Sequence, residues 1–166
     1  MSSSAQDVAD RLAITDKIYR YCRSVDRLDV AVGRSVFHPD STADFGASYV
    51  GTGRGWIDYI CEEHKKFLHH SHQVTNVIID IDGDRAGSEA YVTATLRSRE
   101  GDRLIQRQFW ARYVDAWSRR DGEWGIDARE CVIDFDAVSE VAAIGEHHRT
   151  RRDFGDPSYT VLGARA

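Results

Sequence analysis

Three histidines stand within four residues near the middle of the chain, at His69, His70 and His72. They lead into the apolar segment 74–81, whose residues are typical of a β-strand. Side chains alternate between the two faces of a strand, so His70 and His72 are expected on one face and His69 on the other. Histidine titrates near neutral pH and is the usual proton carrier of active sites. The segment therefore indicates either an acid–base group or a metal site.

A metal site is the first interpretation of these histidines. Two of them on one face of a strand can chelate a cation, and Asp26, His64 or His38 could complete the set. The chain has no H-x-x-x-H or H-x-E pair, however, and its cysteines lack the spacing of a zinc site. We therefore predict no metal, and keep the metal site as an alternative.

Acid–base catalysis is the second interpretation. It needs a carboxylate on the other ring nitrogen of the histidine, which fixes the tautomer and stabilises the imidazolium. Helical spacing of apolar residues predicts an amphipathic helix over residues 5–27, and Asp26 lies at its inner end. We predict that Asp26 is the partner of His72. The alternative is a solvated aspartate at a helix end.

Arg129 is a second charged group with a predicted inward position. On the last predicted strand it shares a face with Cys131 and Ile133. In a semi-apolar cavity its guanidinium would stabilise an oxyanion or a leaving anion. The alternative is a structural salt bridge to Asp127 or Glu130, or a solvated edge.

A phenol and several cavity residues complete the candidate site. Tyr21 lies five residues before Asp26, and its phenol could donate to a leaving oxygen; the alternative is helix packing. Trp56, Cys131 and His70 are predicted to contact the substrate, with His70 at the rim of the pocket. The expected lining is aromatic and aliphatic, so the substrate should be apolar.

The elements that must position these groups are helices in the first half and strands in the second. A short helix at 28–37, a hairpin and a helix at 56–68 are predicted to follow the first helix. The hairpin is predicted to pair 41–45 with 48–52, around Gly46. Tight turns then separate four strands, predicted at 74–81, 91–99, 103–118 and 124–135. This order predicts an α+β fold, with helices on one face of a curved antiparallel sheet.

Taken in order, these pieces resemble the SnoaL-like family of the NTF2-like superfamily over residues 8–138. The resemblance rests on Leu12-Ala13-Ile14 with Asp16, Tyr21 with Val25-Asp26, His72 with Thr75-Asn76, and the Arg119-to-Trp124 turn before Arg129. It implies a cone-shaped barrel that encloses one deep pocket. It also implies cofactor-free elimination and, often, a homotrimer.

The resemblance also implies roles for particular residues. In family enzymes such as scytalone dehydratase and hexachlorocyclohexane dehydrochlorinase, an Asp–His dyad removes a proton while an Arg or Tyr assists the leaving group. The matching positions here are Asp26, His72, Arg129 and Tyr21. Bile acid 7α-dehydratase has an acid on the strand after the histidine strand; that place holds Thr95, which we predict to contact the substrate. The dehydrochlorinase has a lysine at the place of Tyr21, so this chain is expected to eliminate water or to isomerise.

Composition limits the class of partner. The chain has 166 residues and a net charge of −5, which argues against nucleic acid and anionic membranes as partners. No secretory leader is recognised, and three widely spaced cysteines favour free thiols in the cytoplasm. We expect one domain at 1–138 and a tail at 139–166, which would be a pocket lid or an oligomer contact. The oligomer would be a homotrimer or a homodimer.

Two functions of different class follow. The first is a small-molecule lyase of the dehydratase type, or a related isomerase, that acts on an apolar cyclic or polyketide-like substrate. The alternative is a non-catalytic ligand-binding protein or the small (β) subunit of a ring-hydroxylating dioxygenase.

Overall fold

The computed structural model describes residues 5–145 and 150–162. Its helices are α1 (Ala5–Arg27), α2 (Val30–Val36), α3 (Gly53–His64) and α4 (Pro157–Leu162). Its strands are β1 (Phe37–Asp44), β2 (Val50–Thr52), β3 (His69–Asp82), β4 (Arg85–Glu100), β5 (Arg103–Arg120) and β6 (Glu123–Val141). Residues 1–4 of the predicted domain, and 146–149 and 163–166 of the predicted tail, lie outside the described residues.

The strands form one six-stranded sheet in the order β2-β1-β6-β5-β4-β3. The predicted antiparallel meander is present as β3 to β6. The predicted α+β class is therefore confirmed, but the sheet is mixed and open. β1 runs parallel to β6. The chain passes through α3 and the strands β3 to β5 before β6 returns to pair with β1. The local pattern of β1 contains no signal for that distant pairing.

Three boundaries differ from the predicted ones in ways that affect the site. β3 begins at His69, so all three histidines belong to the strand. α3 begins at Gly53, where the side chain of Thr52 accepts the N–H of Gly55 at 3.1 Å, and it ends at His64. β6 continues to Val141, past the predicted start of the tail.

The end of α1 fixes the position of Asp26. Leu28 adopts a left-handed backbone conformation with φ of 56°. The N–H of Asp29 then reaches the carbonyl of Ser24 at 2.8 Å, and the N–H of Leu28 reaches that of Val25 at 3.3 Å. This pair of bonds is the Schellman arrangement that closes a helix. It stops α1 directly after the turn that carries Asp26.

The strand β3 bends shortly after His72. Its pairing with β4 shifts between Thr75 and Ile78, and Asn76 at this bulge has a φ of 48°. Bulges bend a strand and increase its twist. The histidine end of β3 is thereby turned relative to the remainder of the strand.

The core lies between the helices and the concave face of the sheet. Its fully buried members include Ile14, Ile18, Ile57, Trp117 and Ile126. The three cysteines are free thiols, as predicted. Within the described ranges, no helix has the length and apolarity needed to cross a bilayer.

Replacing Asn76 by Val should destabilise the protein, because a left-handed conformation costs an L-residue about 1–2 kcal/mol and Val is worse suited than Asn. Replacing Asn76 by Gly should leave the free energy of unfolding close to that of the wild type. Urea unfolding of the three proteins measures the difference. Equal stability of the Val and Gly variants would contradict the role of the bulge.

Candidate functional site

The structure brings Asp26 and His72 into direct contact. One carboxylate oxygen of Asp26 lies 2.8 Å from Nδ1 of His72, and the other accepts the backbone N–H of His72 at 3.1 Å. Their side chains are only 16% and 8% exposed. Because an ionised carboxylate accepts hydrogen bonds, the proton between them belongs to Nδ1. In the neutral form of the ring, Nε2 of His72 is then the nitrogen that carries the lone pair and can act as a base.

His72 lines a cavity of about 260 Å³ between the helices and the sheet. Most of the wall is apolar, and its aromatic members are Tyr21, Phe45, Trp56, Tyr59, Phe67, Phe109 and Tyr113. Three charged side chains, Glu63, Lys66 and Arg107, also line it. Pockets for drug-sized ligands span about 300–1,000 Å³. The cavity therefore suits a compact molecule with an apolar ring.

Two predicted substrate contacts line this cavity and one lies beside it. Trp56 and Cys131 are part of the wall. Trp56 also stacks on Phe45, with 3.5 Å between ring centroids. His70 faces inward as predicted, but its Nε2 is bonded to the carbonyl of Val25 at 2.9 Å. This bond ties the start of β3 to α1.

Thr95 requires a correction. The register between β3 and β4 places His72 opposite Ala94. Alternation along β4 then puts Ala94 and Leu96 in the cavity and Thr95 on the outer face of the sheet. There the Thr95 hydroxyl accepts a long bond of 3.4 Å from Gln108. The strand after the histidine strand thus offers alanine, not a hydroxyl, to a ligand.

Tyr21 lies in the wall of the cavity, on α1. Its oxygen accepts the indole N–H of Trp56 at 2.8 Å, which leaves its own O–H to donate to a ligand. Burial raises the pKa of Tyr21 well above its usual value, against the opposing effect of the Arg129 guanidinium. Its phenol is therefore a neutral hydrogen-bond donor at physiological pH.

Arg129 is fully buried, and its ionic partner is neither of the two predicted ones. It forms a two-pronged ion pair with Asp115 of β5, with both nitrogen–oxygen distances at 2.7 Å. Its guanidinium lies 4.1 Å from the ring centroid of Tyr21 and 4.3 Å from that of Tyr113. Asp127 is bonded instead to Ser118, at 2.8 Å. Arg129 thus stands behind the two phenols that line the cavity.

The sequence indicates His64 only as a possible metal ligand, but in the structure it lines the cavity. It lies in the last turn of α3, and its ring is stacked 5.8 Å from that of His72. Burial, with the neighbouring His72 and His70, lowers the pKa of His64 to about 2. The spacing of the sequence does indicate this position, because His64 follows Ile57 and Cys61 on the inward-facing side of the helix.

His64, His70 and His72 pack together without forming a recognisable metal centre. Within residues 5–145 and 150–162, no group of three or more His, Cys, Asp or Glu side chains is placed to hold a metal ion. The tilted rings of His64 and His70 lie 4.7 Å apart as packed neighbours.

A second cavity of about 220 Å³ lies behind the Asp26–His72 pair. His72 lines both cavities, whereas Asp26 lines this one together with Arg23 and Arg27. The wall is completed by Tyr19, Cys22 and Val74.

The C-terminal segment packs beside this second cavity. The hydroxyl of Tyr159 donates to Asp29 at 2.7 Å, and Arg23 lies 4.5 Å from the centroid of the Tyr159 ring. Arg152 donates to the carbonyl of His64 at 2.9 Å. The segment is thus docked on the ends of α1 and α3, the two helices that carry Asp26 and His64.

Replacing His64 by Phe should make the fold less sensitive to acid. In the unfolded chain His64 takes up a proton below its ordinary pKa of 6.5, whereas in the folded protein its pKa is lowered to about 2. The unfolded state binds more protons in that window, so stability is complete above it and is lost as the pH falls. One such group contributes about 1.4 kcal/mol per pH unit.

Urea unfolding near pH 7 and again near pH 5 measures this effect. The wild type should lose more stability between the two conditions than the His64→Phe variant. An equal loss would show that His64 is protonated in the folded protein.

The comparisons with known proteins agree with this fold. A model of the SnoaL-like domain family matches residues 6–130. None of the curated proteins matches the chain in sequence.

Three solved structures illustrate the structural likeness. A candidate scytalone dehydratase from Novosphingobium aromaticivorans is 21% identical, with a TM-score of 0.71 over 86% of this chain and 97% of its own. A hexachlorocyclohexane dehydrochlorinase from Novosphingobium barchaimii is 19% identical, with a TM-score of 0.72 over 87% and 98%. A candidate aromatic ring hydroxylase from Novosphingobium aromaticivorans is 24% identical, with a TM-score of 0.69 over 81% and 94%.

At these identities the structural likeness establishes the fold alone. The family rests on the sequence model, which spans more than half of the 166 residues. The chain belongs to the SnoaL-like domain family.

Proposed function

We propose that the protein is a cofactor-free lyase of the dehydratase type, or a closely related isomerase, that acts on a small apolar cyclic or polyketide-like molecule. The observation that carries the proposal is the contact between Asp26 and His72 at the wall of an aromatic cavity. The volume of about 260 Å³ favours a compact substrate. We also propose a cytoplasmic location, which free thiols fit.

In the proposed elimination, Nε2 of His72 removes a proton from a substrate carbon. The electron pair of that C–H bond forms a carbon–carbon double bond, and the bond from the adjacent carbon to its hydroxyl oxygen breaks. Asp26 stabilises the imidazolium through Nδ1. Tyr21 donates to the departing oxygen, which takes the proton from His72 and leaves as water. His72 is then a base again. The elimination of water is not a redox reaction, so it needs no oxidant or reductant.

In the related isomerisation, His72 returns the proton to another carbon. Tyr21 then polarises a carbonyl oxygen and stabilises the enolate that forms between the two proton transfers. Both reactions use the same base and the same donor. The substrate therefore decides between them.

Replacing His72 by Ala should abolish turnover, and replacing Asp26 by Asn should lower it by roughly 10²–10⁴-fold, because general acid–base catalysis contributes about that much. Turnover is measured on a panel of cyclic hydroxyketones, as loss of water by mass spectrometry. Circular dichroism checks that the variants fold.

The matched control is His38→Gln. His38 lies on β1, and its Nε2 is bonded to the carbonyl of Ser118 at 3.0 Å, away from the cavity wall. This variant should keep its activity. An active His72→Ala protein would exclude the lyase and favour a ligand-binding protein.

The alternative function is non-catalytic binding, or the role of a small dioxygenase subunit. It is favoured by the outer face of the sheet, which presents Tyr91 at 40%, Val114 at 38% and Phe135 at 59% exposure. Phe135 stacks on Trp110, with 4.7 Å between ring centroids. Copies of one chain would bury the same face, and we propose a homotrimer or homodimer built on it.

Replacing Phe135 by Glu should weaken this assembly, because it places a charge within the apolar face. Light scattering after size-exclusion chromatography measures the mass of the particle. The wild type should be a trimer or a dimer and the variant a smaller species. A monomeric wild type would contradict the assembly and leave a different partner for this face.

A further inference from the structure

Two phenols stand side by side in the wall of the cavity. Tyr21 comes from α1 and Tyr113 from β5, and their rings meet edge to face with 5.3 Å between centroids. Both side chains are almost completely buried, at 1% and 3% exposure. Buried phenols normally find a hydrogen-bond partner. Tyr21 accepts from Trp56, and its donor capacity remains for a ligand.

Both phenol rings contact the same cation. The guanidinium of Arg129 lies against the two rings, 4.1 Å from the centroid of Tyr21 and 4.3 Å from that of Tyr113. Asp115 holds its Nε and Nη2, which fixes the guanidinium plane. Within the described part of the chain, Nη1 of Arg129 is buried without a hydrogen-bond partner. A fixed positive charge in a medium of low dielectric acts strongly on nearby groups.

The effect of this charge is to favour negative charge near the phenol oxygens. A nearby cation stabilises an anion, and a polarised hydroxyl is a stronger donor. Burial nevertheless raises the pKa of both tyrosines, more than Arg129 lowers it. The phenols therefore keep their protons and can donate them in hydrogen bonds.

We propose that Tyr21 and Tyr113 together bind the substrate oxygen that gains negative charge in the reaction, and that Arg129 is a positioning residue which acts through these two phenols. The inference rests on the proposed function for its place in a reaction. It adds Tyr113 as a catalytic residue and narrows the substrate to a ring that bears a hydroxyl or carbonyl oxygen. Trp56 is a second positioning residue, because its N–H orients the oxygen of Tyr21.

The base and the phenol donors of this cavity are held by different elements of the fold. The base comes from the edge strand β3, whereas the phenol pair comes from α1 and β5. Donors fixed before the reaction need no reorganisation when charge develops, which is how oxyanion sites lower a barrier. The ion pair of Arg129 with Asp115 supplies that rigidity.

The test uses 4-nitrophenol, a small aromatic whose ionised form is read from its absorbance. Binding to the wild type should lower the pKa of the probe, because the phenol pair prefers the phenolate. Tyr21→Phe and Tyr113→Phe should each weaken that preference about tenfold or more, since each removes a hydrogen bond to a charged oxygen. Tyr59→Phe is the matched control; it also removes a cavity phenol, but one outside the contacts of Arg129, and the preference should stay.

The same titrations in the His72→Ala background separate this inference from the proposed lyase. A protonated His72 would also attract a phenolate, so the tyrosine effects must persist when His72 is absent. The probe reports binding alone, and a protein without turnover still gives a result. Failure of the probe to bind, or an unchanged preference in Tyr113→Phe, would overturn the inference.

A charge-deleting pair tests the part of Arg129. Replacing Arg129 by Met together with Asp115 by Leu removes the ion pair while it keeps apolar volume, a change that buried ion pairs often tolerate. The preference for phenolate should fall although both hydroxyls remain; an unchanged preference would overturn the role of Arg129. If this double variant does not fold, the single tyrosine variants decide the inference.

Discussion

One carboxylate joins the two layers of this protein at the point where its chemistry is proposed. Asp26 ends the inner face of α1 and binds both the ring and the backbone N–H of His72 on β3. The Schellman closure at Leu28 stops the helix at the correct turn, and the bond from His70 to the carbonyl of Val25 adds a second tie. The position of the candidate base thus depends on where a helix ends, and the cavity lies between the layer of helices and the sheet that Asp26 connects.

Local pattern was sufficient for much of this arrangement. Helical spacing predicted α1 with Asp26 at its inner end, and alternation placed His70 and His72 on one face. Turn residues separated the four strands of the meander; Gly83 and Gly101 do adopt the positive φ that such turns need. These are features that a few neighbouring residues determine.

Other features depend on registers between distant segments, which a single sequence does not contain. Thr95 was predicted from its match to an acidic position of a family enzyme, and a shift of one residue in that match exchanges Thr95 for Ala94, which faces the cavity opposite His72. The partner of Arg129 is Asp115, its cross-strand neighbour, and not a residue near it in sequence. The parallel pairing of β1 with β6 is of the same kind. An ion pair this deeply buried is a costly way to gain stability, which is consistent with a role beside the phenols.

The strand of the candidate base is also an edge of the sheet. Edge strands present unpaired backbone groups that can recruit other chains into aggregates. Here the N–H of His72 is occupied by Asp26, and the bulge at Asn76 interrupts the regular edge farther along. The carboxylate that orients the base therefore also shields the chain from unwanted strand pairing. Variation at this position during evolution would be constrained by solubility as well as by chemistry.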